Sequence, residues 1–196
     1  MKVALDTVGA EHPDTLTSMA NLASTLWNQG DLDGAKALEE KALEVQKRVL
    51  GEEHPNTLSS MNNLALTLWN QGDLDGAKAL QEKVLEVRKR VLGEEHPGTL
   101  ISMNNLASTL KAQGDLEGAR ELIEKALEVR RRVLGEKHPN TTSSQWNLLQ
   151  TLIAQKETAA ANTLKTELAW LRAADPTRLS AGQKKIRSML GFDDED

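Results

Sequence analysis

Apolar residues fall at helical spacing along this chain, and then the whole pattern starts again. Leu58, Met61, Leu64, Ala65 and Leu68 share one helix face, and Leu74, Ala77, Leu80, Val84, Leu85, Val87 and Val91 mark a second, longer helix. Between them "NQGD" supplies the breaks. Gly72 suits the left-handed conformation that ends a helix, and Asp73 can accept backbone N–H groups to begin the next. The second helix stops at Gly93, its basic last turn lying against the negative end of the helix dipole. Pro55 suits the first turn of a new helix because it has no N–H to leave unpaired.

The same text returns every 42 residues, at the His-Pro pairs that begin with His12, His54, His96 and His138. Three copies are regular; the fourth starts faithfully at Leu134 and decays after Trp146. One helical hairpin cannot bury both of its apolar faces alone, whereas stacked hairpins can, so the repetition predicts an open all-α solenoid instead of a closed globule. Residues 1–7 read as the end of a preceding partial helix, 8–172 as the four repeats, 173–192 as a C-terminal capping helix and 193–196 as an acidic tail.

The spacing "NLA" (Asn63-Leu64-Ala65), Leu68, "QGD", Ala77 and a small residue seven places on (Ala42, Val84, Ala126) resembles a tetratricopeptide repeat. In its 42-residue form, with "LGEEHPNTL", it is similar to the repeats of kinesin light chains and of many bacterial signalling proteins. The resemblance implies a right-handed superhelical solenoid of antiparallel helix pairs. One departure is that Met61, Leu68 and Leu80 or Gln81 stand where shorter repeats often carry aromatic residues.

In such arrays the first helix of each pair lines a concave groove. Here that placement falls on a stripe of Ser59, Asn62, Leu66 and Trp69, with Asn63 and Asn70 at its margin, and no residue from Asn56 to Gln71 is charged. A neutral, amide-rich lining differs from the lysine and arginine clamp with which some relatives hold an acidic C-terminus. Asn21, Asn63, Asn105 and Asn147 match the family position whose amide commonly bonds a bound peptide's backbone, and Asn62 and Asn104 adjoin it. Positions that vary between copies, Trp27, Trp69, Lys111 and Ile153, would then tune what binds. Each tryptophan, the displaced Trp146 included, reads either as an anchor for an apolar side chain or as packing against a neighbouring repeat.

Composition narrows the rest. A net charge of −5 and a pI near 5.5 argue against a surface that grips nucleic acid or an anionic membrane as a whole. The clusters Lys47-Arg48, Arg88-Lys89-Arg90 and Arg130-Arg131-Arg132 either form a phosphate-binding edge or satisfy helix C-termini and pair with the glutamates of the following loop, such as Glu94 and Glu95. There is no cysteine, and hence no disulfide framework or thiolate site. Histidines one repeat apart sit on helices about 8–10 Å apart, too far to share a zinc whose nitrogen ligands lie about 2.0–2.1 Å away. "GDLDG" lacks the remaining ligands of a calcium loop. No nucleophile, base or phosphate-cradling motif forms a constellation, so neither an enzyme nor a cofactor is expected. Lacking a signal-like or membrane-spanning run, the chain reads as cytoplasmic.

The chain starts inside a repeat, so apolar surface near Met19, Leu22 and Leu26 is expected to be poorly covered. At the other end, Asp175-Pro176 and Ser180 with Gln183 are helix starts, placing Ile186, Met189, Leu190 and Phe192 inward. The resulting expectation is a scaffold that binds a protein or peptide segment in its groove. The alternative is a self-assembly module, a homodimer joined through the uncapped N-terminal end.

Overall fold

The computed structural model describes residue 9 and residues 11–192; the expected partial helix at residues 1–7 and the acidic tail at 193–196 lie outside the described residues. The described chain is all-α and built from tandem antiparallel helix pairs. It divides into two compact units, Met1–Glu94 and Glu95–Asp196.

The first unit holds α1 (Pro13–Asn28), α2 (Leu32–Leu50), α3 (Pro55–Gln71) and α4 (Leu74–Leu92). Each helix packs on the next in sequence. Leu58, Met61, Leu64, Ala65 and Leu68 of α3 are all buried and join Leu43 of α2 and Ala77, Val84 and Val87 of α4 in one core cluster. Leu16, Met19, Ala42 and Val45 form a second cluster between α1 and α2. Two expectations are corrected here. Val91, read as core, is 53% exposed on the last turn of α4. Met19 is buried, and Leu22 and Leu26 are half-buried, so this face is better covered than expected.

The repeat's punctuation is visible atom by atom. Each His-Pro pair starts a helix with the histidine as cap: Nδ1 of His12, His54 and His138 accepts the backbone N–H two residues on at 3.2 Å, and that of His96 at 3.0 Å. Gly72 ends α3 at φ 85°, while its N–H reaches the Trp69 carbonyl at 3.0 Å and that of Asp73 reaches Leu68 at 2.9 Å. These two bonds satisfy carbonyls the helix would otherwise leave bare. Asp73 then caps α4, its carboxylate accepting from Gly76 N–H at 2.9 Å. A Cβ on Gly76 would lie 2.6 Å from that carboxylate, which explains the second glycine of "GDLDG".

The second unit repeats this plan with α5 (Pro97–Gln113), α6 (Leu116–Leu134), α7 (Pro139–Ala154) and α8 (Thr158–Leu168). After α7 the glycine is gone, yet the same turn forms. Lys156 takes the left-handed conformation at φ 63°, and Glu157 N–H bonds the Leu152 carbonyl at 2.9 Å. The chain continues as α9 (Trp170–Ala173), a 3-10 turn at Pro176–Arg178 and α10 (Ala181–Met189), which packs on α7. Ser180 and Gln183 form a reciprocal capping box, and the Gln183 amide donates to the Lys137 carbonyl at 2.8 Å. Ile186 points inward as expected, and Leu190 and Phe192 are half-buried. Met189, expected inside, is 53% exposed on the last turn of α10.

Paired amides and charges tie neighbouring pairs together. Gln71 donates to Asp33 at 2.7 Å in the first unit, and Gln155 to Glu117 at 3.0 Å in the second. The basic clusters pair mainly with the loop before their own repeat: Arg48 with Glu11 at 2.5 Å, Arg90 with Glu53 at 2.6 Å, and Arg132 with Glu95. Lys89 with Glu94 and Arg131 with Glu136 reach the following loop instead.

Candidate functional site

On the α1–α3 face of the first unit two cavities meet at Asn63. The larger, of about 430 Å³, is lined by Leu16, Ala20 and Asn21 of α1, Ser59 and Asn63 of α3, and Val49 and Leu50 at the end of α2. Its walls are chiefly apolar, and the exposed amides of Asn21 and Asn63 stand on its rim. Helical spacing produces this surface: residues one step round from the buried Leu16-Met19-Ala23 and Leu58-Met61-Leu64 rows face the gap between the two first helices. The exposed Val-Leu pair, Val49 at 48% and Leu50 at 37%, was not singled out from the sequence. It recurs as Val91-Leu92 and Val133-Leu134, also exposed, and that recurrence on a helix end was the available signal.

The smaller cavity, of about 260 Å³, is lined by Ala20, Ser24, Trp27, Asn28, Glu39, Asn63, Leu66 and Thr67. Trp27 is half-buried, and its indole N–H has no hydrogen-bond partner; the same holds for Oε2 of Glu39 and the Thr67 hydroxyl. Burial pushes the Glu39 carboxyl above its ordinary range, and the neighbouring Thr67 hydroxyl offsets part of that rise without reaching normal hydrogen-bond geometry. Glu39 was not among the residues expected at the site, because on the pattern alone it is one acid in a charged helix. Trp69, at the position of Trp27 one repeat on, is 39% exposed, and Asn62 is half-buried with an unpartnered Oδ1.

The α5–α7 face of the second unit carries Asn105, which is exposed, and Asn147, which is half-buried. Ile101 and Ile153 are exposed beside them, at 48% and 52%. Lys111 is half-buried and donates to Oε1 of Gln150 at 2.9 Å; burial lowers its pKa. Trp146 is half-buried on α7. Asn104 is occupied differently. With the amide turned so that its oxygen faces the guanidinium, that oxygen accepts from both Nη atoms of Arg130, the longer contact at 3.0 Å. Arg130 also donates to Ser144 Oγ at 2.5 Å and to the Asn140 carbonyl at 3.3 Å. Only 4% exposed, Arg130 belongs to the interior and not to the basic edge expected from its triplet. It is satisfied by neutral oxygens alone in these contacts, and burial lowers its pKa.

No group of three or more His, Cys, Asp or Glu among the described residues could hold a metal ion, and no helix among them is long and apolar enough to cross a membrane.

Models of the tetratricopeptide repeat match residues 15–56, 62–127 and 103–168, and the chain belongs to that family. Its structure is similar to a Podosopora anserina protein described as a kinesin light chain with nearly identical TPR-like repeats, at 28% identity and a TM-score of 0.79, covering 88% of this chain and 84% of that one. It is also similar to BtubC (BKLC) from P. vanneervenii, at 25% identity and a TM-score of 0.71, covering 87% and 70% of the two chains. The apo form of RapI, at 16% identity and a TM-score of 0.74, covering 98% and 52%, shares the fold alone. No curated protein sequence matches the chain significantly.

Proposed function

We propose that this protein is a scaffold that holds an extended segment of a partner protein along the faces of its first helices. The observation that supports this most is the cavity of about 430 Å³ in which an apolar floor of Leu16, Ala20, Val49 and Leu50 is rimmed by the exposed amides of Asn21 and Asn63. An extended peptide presents alternating side chains and a regular row of backbone groups. The floor takes an apolar side chain, and each amide can both donate to and accept from the backbone. Asn105 and Asn147 supply the same groups on the second unit, with Ile101, Lys111 and Ile153 varying the lining. Tetratricopeptide repeats as a class mediate protein–protein interaction, which agrees with this reading.

The test is binding of an array of ten-residue peptides by the wild-type chain and by Asn21→Ala/Asn63→Ala. Losing one neutral hydrogen bond at each amide costs roughly 0.5–1.5 kcal/mol, so the double variant should bind about 5- to 150-fold more weakly with an unchanged circular dichroism spectrum. Because the one charged side chain lining that cavity, Glu11, is already paired with Arg48, affinity at Asn21 and Asn63 should vary little between low and moderate salt. Equal binding by the double variant would overturn the reading.

A further inference from the structure

The cavity beside Trp27 contains features that a purely apolar anchor pocket lacks. It holds an ionisable group, Glu39, one of whose carboxylate oxygens is buried without a hydrogen-bond partner. Among the described residues no lysine or arginine forms an ion pair with that carboxylate, although Glu40 next to it pairs with Lys36. Its surroundings are an indole, an apolar Leu66 and the hydroxyl of Thr67, which itself lacks a partner. A buried carboxylate is costly unless a cation or several donors meet it, and the rise in its pKa reflects that cost.

We infer that this cavity is a specificity pocket for the ammonium group of a lysine side chain in the bound partner. Its volume of about 260 Å³ admits an aliphatic stem with one charged head. Leu66, Ala20 and the Trp27 ring cover the stem, while the ammonium pairs with the Glu39 carboxylate on the cavity wall. The indole face adds attraction for a cation. A carboxylate probe would meet Glu39 with like charge, and a norleucine-type side chain would leave the Glu39 carboxylate without a cation. The inference rests on the groove reading for the partner's direction of approach, since Asn63 and Ala20 line both cavities. It also distinguishes the repeats: the residue equivalent to Glu39 is Gln81 in the second copy and Ile123 in the third.

The experiment uses small probes, so it does not depend on finding a groove peptide. Nα-acetyl-lysine methylamide, its norleucine, glutamine and glutamate analogues, and a control without a side-chain head are titrated into the full chain. The Trp27 indole N–H resonance, assigned with Trp27→Phe, is followed. The lysine probe should move that resonance saturably and bind at least about tenfold more tightly than norleucine, a preference that Glu39→Gln abolishes. Gln81 already occupies the equivalent position of a folded repeat, so this variant should retain the native spectrum, and the comparison of probes on wild-type protein requires no variant at all. Equal binding of lysine and norleucine, a preference for glutamine, no shift with any probe, or a lysine preference that survives Glu39→Gln would each overturn the inference. None of those results bears on peptide binding at Asn21 and Asn63, whose own test fails or succeeds separately.

Discussion

Asn104→Ala should destabilise the second unit, whereas Asn105→Ala, its neighbour, should not. Arg130 is 4% exposed, and the three groups given to it are the Asn140 carbonyl, Ser144 Oγ and the Asn104 amide oxygen. A hydrogen bond to a charged group contributes about 1.5–3 kcal/mol, and removing one partner also leaves the other desolvated. The loss on Asn104→Ala should therefore be about 2 kcal/mol. Asn105 is exposed, and substituting it should stay within about 0.5 kcal/mol of wild type. The stronger test is the pair. Arg130→Met removes the buried charge while keeping a long apolar stem, an exchange that is often neutral or stabilising. Asn104→Ala/Arg130→Met should then be more stable than Asn104→Ala alone, with a coupling of about 1 kcal/mol or more. Urea denaturation followed by circular dichroism gives each midpoint. An unchanged midpoint for Asn104→Ala, or costs that simply add in the double variant, would refute the claim that this asparagine serves the buried guanidinium.

Three further outcomes are expected. Glu39→Gln should raise stability at neutral pH and approach wild type in acid: a carboxyl whose folded pKa is raised contributes stability below its unfolded pKa and loses it as pH rises through the folded value, so denaturation midpoints across a pH series should converge downward. Conversely, Lys83 beside Glu52 and Arg132 beside Glu95 hold those carboxyls below their ordinary range; their stabilisation is present at neutral pH, fades as pH falls through the lowered values, and, both groups being fully exposed, should be largely screened in thermal melts at high salt. Lys156→Gly should stabilise the second unit by up to about 1 kcal/mol, because Lys156 carries φ 63° in a turn where the other copies have glycine; a lower urea midpoint would contradict that account.

The helices, their caps and the period were legible because each is enforced locally. A Gly-Asp pair ends one helix and starts the next through bonds that span only a few residues, and the apolar rows at Met61 or Ala77 follow helical geometry alone. What the pattern misplaced were residues whose fate depends on where a helix ends relative to its neighbour. Val91 and Met189 continue the apolar spacing of α4 and α10 yet stand exposed on the last turns of those helices. Arg130 fails for the opposite reason. In sequence it is the first of three arginines, but it stands one and two helical steps from Arg131 and Arg132, about 100° and 200° round the helix, and that rotation turns it from solvent to Ser144 and Asn140.

The candidate site follows the same logic one level up. The exposed asparagines could be placed on a face because that face is fixed by the helical period, and three of the four, Asn21, Asn63 and Asn105, are exposed. The cavity beside Trp27 could not, since it needs Glu39 from a second helix to meet Trp27 and Thr67 from two first helices, and no one-dimensional spacing records that meeting. Where neighbouring copies carry Glu39, Gln81 and Ile123, a carboxylate, an amide and a hydrocarbon succeed one another at one structural position. Backbone geometry there stays the same from copy to copy, as the matching caps at Asp31, Asp73 and Asp115 show. The array can therefore change the chemistry of one pocket without altering the helices that frame it, and selectivity among partners should be sought at these few non-repeating positions.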